Sequence, residues 1–251
     1  MKYRTLHRWN PTPAGAIEIQ RKLRGRIRLA PLRAAPRLVA GADASYRERG
    51  GLFFATVVVF SLRPWRLVER AAAWGRVSFP YIPGLLSFRE APILLRAFAK
   101  LGARPDVVIF DSQGIAHPRG MGLAAHMGLL LGTPSIGCAK SPLIGAFREP
   151  DPAAGSRAPL LLEGRRVGTV LRTRRGVKPV FVSPGHLIDH RWAARVVMRC
   201  VRGFRLPEPT RQAHIMVNAL RRERTAPRKA PCARSGRAED CYQQTGRVVL
   251  K

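Results

Sequence analysis

Apolar residues fall along this chain in blocks of two periodicities, separated by proline, glycine and charge. The first block has helical spacing: Ile19, Leu23 and Ile27 recur every four residues, while Glu18, Gln20, Arg21, Lys22 and Arg24 face elsewhere. Thr12-Pro13 supplies a cap and a first-turn proline, so an amphipathic helix is predicted from there. Residues 37–46 form a candidate strand in which Asp43 stands among small residues, 52–60 is strongly apolar, and 65–74 can make a third strand. The short connections, with a turn signal at Arg49-Gly50-Gly51, predict an antiparallel meander.

Pro92 fits only the first turn of a helix, which places the start of the next one near Ala91 and leaves Glu90 as a loop acid beside it. Ser87-x-x-Glu90 also matches a capping box. Four consecutive apolar residues, 107–110, then read as a strand buried on both faces and ending on Asp111. Residues 120–131 are apolar almost all round, as in a helix packed inside a protein, and Gly132-Thr133-Pro134 stops them. Residues 135–139 read as a second buried strand, delivering Lys140 to the same edge as Asp111 if the two strands are parallel. Ligands of such sheets lie beyond the strands' carboxyl ends, where Asp111, His117, Arg119 and Lys140 fall. Asp111 taken alone is equally suited to starting a loop or capping a helix.

Further on, 144–159 carries Pro150, Pro152, Gly155 and Pro159 and reads as a loop. Residues 166–172 and 179–182 are predicted strands that can pair as a hairpin, followed by Ser183-Pro184-Gly185-His186. A helix over 187–201 turns Ile188, Trp192, Val196, Met198 and Val201 inward, and Pro207-Glu208-Pro209-Thr210 caps a last helix over 211–222 that contains His214. From Glu223 the chain is rich in arginine, alanine and proline, and disorder is expected. Three antiparallel strands, a helix, a strand, a helix and a strand make the topology of ribonuclease-H-like folds. The predicted class is α/β, a central mixed sheet flanked by helices, with Asp43 and Asp111 on the first and fourth strands, where acids meet.

Charge changes this picture. The 251 residues include 45 basic and 15 acidic side chains, a formal net charge of +30. Such an excess makes phosphate backbones the first-choice partner, although a drift toward arginine on a solvated surface gives the same count. Among so few acids, Asp43, Glu90 and Asp111 stand at the ends of apolar segments, where each costs desolvation unless paired or metal-bound. Cys138, Cys200, Cys232 and Cys241 show no C-x-x-C spacing, which supports neither a zinc ribbon nor a disulfide framework and fits a reducing cytosol. No run is long enough to span a bilayer, and a cytoplasmic protein with no membrane partner is expected. In Phe79-Pro80-Tyr81-Ile82-Pro83-Gly84 two prolines fix the backbone, so Tyr81 and Ile82 can be held out as a wedge for a base stack; taken alone, the segment better suits a turn whose Tyr81 packs back on the core.

Several segments together resemble the endonuclease V, or deoxyinosine 3′-endonuclease, family. They are Gly41-Ala42-Asp43-Ala44-Ser45-Tyr46, Pro80-Tyr81-Ile82-Pro83-Gly84 through Glu90, Asp111-Ser112-Gln113-Gly114 with His117-Pro118-Arg119, Ile136 to Ser141, Ser183 to His186, and Pro207 to Arg211 with His214. The resemblance implies a catalytic domain over 1–222, with 223–251 a basic tail outside it. It implies Mg2+, with Mn2+ a possible substitute, on Asp43 and Asp111, Glu90 holding metal-bound water, His214 assisting and Lys140 beside the scissile phosphate. Tyr81 would be the wedge, in a loop with Ile82 and Pro83, and Gly84, Leu86, Gly114 and His117 would line the pocket for a flipped base. The implied activity is that of a monomeric repair enzyme hydrolysing the second phosphodiester bond 3′ to deoxyinosine in DNA. Two alternatives stand beside it: a non-catalytic nucleic-acid-binding protein, and a ribonuclease-H-like nuclease acting on inosine-containing RNA or branched DNA.

Overall fold

The computed structural model describes residues 1–47 and 51–225. Its elements in chain order are α1 (Pro13–Arg24), β1 (Leu38–Tyr46), β2 (Leu52–Leu62), β3 (Trp65–Arg76), α2 (Leu86–Ala99), β4 (Val107–Phe110), α3 (Leu123–Leu131), β5 (Ser135–Ala139), β6 (Arg157–Leu162), β7 (Arg165–Leu171), β8 (Val180–His186), α4 (His190–Arg199) and α5 (Glu208–Thr225). The strands form one sheet in the order β3-β2-β1-β4-β5-β8-β7-β6. β1, β2 and β3 are an antiparallel meander, β4 lies parallel to β1 and β5 parallel to β4, and β8 returns antiparallel to β5. This is the ribonuclease-H-like mixed sheet that the order of apolar blocks predicts.

Alternation along the buried strands divides the core into two layers. Val108 and Phe110 of β4 join α2 and α3 on one face, while Val107 and Ile109 join α4 on the other. Asp106 fixes the junction of β4 with β1, its Oδ2 accepting the Arg37 and Leu38 N–H groups at 2.8 and 2.9 Å. At the β3 margin Lys100 Nζ donates to the Ala72 carbonyl at 2.8 Å. No helix among the described residues is long and apolar enough to cross a membrane.

Several expectations are corrected. α2 begins at Leu86, with Pro92 inside it, so Glu90 is a helical residue and not a loop acid. Pro92 removes the bond that would reach the Phe88 carbonyl, but Phe88, Ala91, Leu94, Leu95 and Phe98 all bury their side chains, and that packing outweighs the lost bond. Ser87 does not cap the helix; its hydroxyl meets His126 Nδ1 at 3.0 Å.

The expected loop over 144–159 ends three residues early, because Arg157 to Leu162 pair with β7 as an edge strand. Pro159 sits there because a strand at the edge of a sheet tolerates a residue without an N–H. Ser183-Pro184-Gly185-His186 belongs to β8, where a register shift beside Ile136 absorbs the proline. α4 is shorter than predicted, since Asp189 caps it through the Trp192 N–H at 2.7 Å. α5 is longer at both ends and carries 223–225 as helix. The rest of the expected tail, and Arg49-Gly50 of the expected turn, lie outside the described residues.

α1 starts as predicted, Thr12 Oγ1 accepting the Gly15 N–H at 3.2 Å. The helix buries Gln20, whose roles appear below. Within α3, His126 is completely buried, one ring nitrogen 2.8 Å from His7 Nε2 and the other on Ser87 of α2. Burial, then the neighbouring His7, pushes its pKa down to about 3. An unfolded histidine takes up a proton near 6.5, whereas folded His126 stays neutral far below that, so acidification favours the unfolded state. Between pH 7 and pH 5 this one residue is expected to remove about 2 kcal/mol of stability. Urea unfolding at the two pH values measures the loss, and His126→Gln should make the difference smaller.

Candidate active site

The rim of the sheet at the carboxyl ends of β1 and β4 gathers the acids. Gly41 and Asp43 are two residues apart on β1 and so share a face. α5 lies directly on that face: a Cβ at Gly41 would stand 2.1 Å from the Pro209 carbonyl carbon, so only glycine lets the helix this close. Two strand residues advance about 7 Å and five helical residues about 7.5 Å. The helix that touches Gly41 through Pro209 therefore brings His214 over Asp43.

His214 Nδ1 lies 2.8 Å from Asp43 Oδ2, and its other nitrogen lies 3.2 Å from Asn218 Nδ2. With the Asn218 amide donating, Nε2 accepts and Nδ1 carries the proton given to Asp43. β4 and β5 being parallel, Lys140 Nζ reaches Asp111 Oδ2 at 2.7 Å. Asp43, Asp111 and His214 each offer a ligand atom, and the three atoms lie within 4.8 Å of one another. Two carboxylates at that separation, one of them oriented by the imidazole, fit a single divalent cation.

Glu90 lies outside this tight set but close enough that the charges of Asp43 and Asp111 act on it. Burial raises its pKa to about 8, with Asp43 adding and Arg89 opposing. Asp43 is raised to about 6, chiefly by burial, against the hydrogen bond from His214. Carboxyls that strain toward protonation at neutral pH are what a cation would relieve.

The second group of predicted residues surrounds the loop before α2. Tyr81 is 63 % exposed, so it does not pack back on the core; Ile82 packs beneath it on Phe79 and Phe88, and Pro83 is exposed. The Arg89 guanidinium lies 5.6 Å from the Tyr81 ring centre and also covers Tyr46 and Phe53. Gly84 has φ +78° and its carbonyl is approached by Gln20 Nε2, His117 Nε2 and Arg119 Nη2 at 2.9, 3.0 and 2.7 Å. Burial and then Arg119 push the His117 pKa down to about 4, and its Nδ1 takes the Arg119 N–H, so the neutral ring donates to Gly84 through Nε2.

Gly114 rests against β8, where a Cβ would stand 2.0 Å from the Pro184 oxygen, and its N–H donates to Ser183 Oγ at 2.7 Å. Leu86 is partly exposed in the first turn of α2. Beside the end of β1 a cleft of about 640 Å³ opens between Ser45, Tyr46 and Arg47 and the arginines Arg221 and Arg222 of α5.

Endonuclease V, as a family, matches residues 21–215 of the sequence. The chain belongs to that family. It is 49 % identical over 224 residues to Endonuclease V of Methanothrix thermoacetophila, covering 89 % of this chain and 98 % of that one. The crystal structure of Endonuclease V from Streptomyces avermitilis is 41 % identical and superposes with a TM-score of 0.83, covering 87 % of this chain and 96 % of the other. Ciona intestinalis Endonuclease V, 26 % identical with a TM-score of 0.71 and covering 82 % and 96 %, was crystallised with a 24mer DNA containing an inosine followed by a ribo-adenosine.

Several residues that the structure brings beside this candidate site carry no role in the reading of the sequence. The sequence places Gln20 on a helix face without chemistry, yet its amide spans the Gly84 and Met121 carbonyls and accepts from Arg119 Nε. Its position at the buried edge of α1 gave no sign of this. Ser112 Oγ and Gln113 Oε1 are buried next to Asp111 without a partner among the described residues. The signal for them in the sequence is a polar pair directly after a strand-ending acid.

Proposed function

We propose that this chain is a divalent-cation-dependent repair endonuclease that recognises deoxyinosine in DNA and hydrolyses the second phosphodiester bond on its 3′ side. The observation that carries the reading is the convergence of Asp43, Asp111 and His214 within 4.8 Å at one sheet rim, in a member of the endonuclease V family. The inosine-containing DNA held by the Ciona relative supports the substrate, and the +30 net charge supports a polyanion. Asp43 and Asp111 would hold the cation, Mg2+ by the hardness of its oxygen donors and Mn2+ as a substitute. Bound there, the ion would supply an activated water and neutralise phosphate oxygens.

The chain's own groups carry the rest. His214 keeps Asp43 oriented through its Nδ1–H. Glu90, buried beside both acids and within reach of their charges, would hold the water that the bound cation supplies. Lys140 places an ammonium at the rim, 2.7 Å from Asp111, where a scissile phosphate oxygen would lie. Tyr81 stands exposed on a proline-stiffened loop as the wedge that replaces the extruded base. Gly84, Leu86, Gly114 and His117 line the receiving pocket, which Gln20 and Arg119 brace through the Gly84 carbonyl. An altered base leaves the stack at lower cost than a well-paired one, which adds selectivity. The catalytic unit occupies 1–222, which takes in all but the last three residues of α5, and acts as a monomer on DNA in the cytoplasm.

A labelled duplex with one deoxyinosine, incubated with Mg2+, should be nicked one nucleotide beyond the lesion on its 3′ side, and chelation should abolish the nick. Intact strands in both Mg2+ and Mn2+ would overturn the proposal. The ribo-adenosine after inosine in the Ciona complex favours a second reading, in which a ribonucleotide at that position is preferred. Matched duplexes with deoxyadenosine or adenosine there decide between them by initial rate.

A further inference from the structure

Away from the carboxylates, the surface carries a second concentration of charge that the proposed cleavage does not use. Arg191, Arg195 and Arg199 recur every four residues along α4 and so form one row on the helix. Arg157 of β6 joins them in lining a cleft of about 450 Å³. Among the described residues none of the four is paired with a carboxylate. Asp189, the acid at the start of α4, is occupied in capping the helix. Residues 223–251 contain seven basic and three acidic side chains, a net charge of the same sign as the row. Like charges at this spacing disfavour a helix; α4 is held by burying Ala193, Val196 and Val197 against the sheet.

The row is distinct from the acid rim. Asp111 and Lys140 follow the last residues of β4 and β5, whereas His186, where the chain leaves β8 for α4, pairs with Ser135 at the opposite end of β5. α4 packs on β8 and β7, on the sheet face away from α2 and α3.

We propose that Arg191, Arg195 and Arg199, with Arg157, form a second phosphate-backbone-binding surface that holds undamaged duplex DNA independently of the lesion site. Eight helical residues make the row about 12 Å long, matching three to four phosphates of one strand at about 3.4 Å each along the duplex. Guanidinium groups grip phosphate through paired N–H donors and stay charged at all working pH values. An anionic membrane is the poorer match, because the apolar face of α4 is turned into the core and leaves nothing to insert beside the charges. The choice of DNA as ligand rests on the proposed function, and the experiment below separates the two.

The full-length triple variant R191Q/R195Q/R199Q is compared with the parent for binding to a long undamaged duplex across a salt series without divalent cations. The slope of log K against log salt should become shallower by about three units, near 0.9 for each lost phosphate contact. Single-turnover cleavage of a short deoxyinosine duplex should be unchanged. An unaltered slope in a variant with the parent's circular dichroism overturns the proposal. So does a loss of binding to phosphatidylglycerol vesicles while duplex binding is kept. Should the triple variant misfold, R195Q alone must still lower the slope by about one unit. A shallower slope in a protein that cleaves no deoxyinosine duplex upholds the surface and overturns only the proposed activity.

Discussion

Asp43→Asn is expected to reduce cleavage of the deoxyinosine duplex in Mg2+ by about a thousandfold or more, with binding of the uncleaved duplex largely kept. The substitution preserves shape and removes the anionic charge from the strand that faces both His214 and Asp111. A divalent ion contributes several kcal/mol to the charge developing at phosphorus, and each 1.36 kcal/mol is about a factor of ten in rate. Single-turnover rates measure the first effect, and Mn2+ affinity by isothermal titration measures its origin. A non-catalytic nucleic-acid-binding protein predicts the opposite, because its acids would be structural and the variant would behave as the parent does in Mg2+.

The second large effect comes from a residue with no chemistry. Gly41→Ala is expected to cost about 3 kcal/mol, the upper part of the usual range for overpacking, because the new methyl would meet backbone on both sides of the Pro209–Thr210 peptide bond. A side chain could rotate away; the first turn of a helix cannot. α5 must then lift from β1, and His214 leaves Asp43 with it, so cleavage should fall beyond what the lost stability explains. Chemical denaturation gives the first quantity and cleavage under fully folding conditions the second. Gly25→Ala, where an added Cβ meets nothing closer than 3.9 Å, is the control and should shift stability by less than about 0.5 kcal/mol.

Both predictions mark where the sequence could and could not be read. The apolar runs at 52–60, 107–110 and 135–139 needed only their length and branching to be recognised as buried strands, and their order fixed the topology. Once β4 and β5 are parallel, Asp111 and Lys140 must meet, so that pair was legible as well. What was not legible is packing that overrides a local rule. Pro92 signals a helix start until Phe88 and its neighbours are seen buried on the far side of it. Pro159 signals a loop until its segment is placed at a margin of the sheet. Gly41 resembles any small residue in Gly41-Ala42-Asp43-Ala44, and only the helix lying on it reveals that size is the constraint. Gln20 carried no local sign, because the carbonyls it binds are more than sixty positions away in the chain.

The sheet is open, and an open sheet offers its two outer strands to any passing extended chain. At one end Lys100 occupies the Ala72 carbonyl, and the Arg224 guanidinium lies 4.1 Å from the Trp74 ring centre. At the other, Pro159 offers no N–H and the ladder slips at Leu160/Leu161, so a newcomer would find neither a complete row of donors nor a straight edge. Both flanks are thereby blunted against templated growth. A concentrated solution of the folded protein should therefore resist conversion into cross-β fibres even where phosphate or sulfate screens its mutual repulsion.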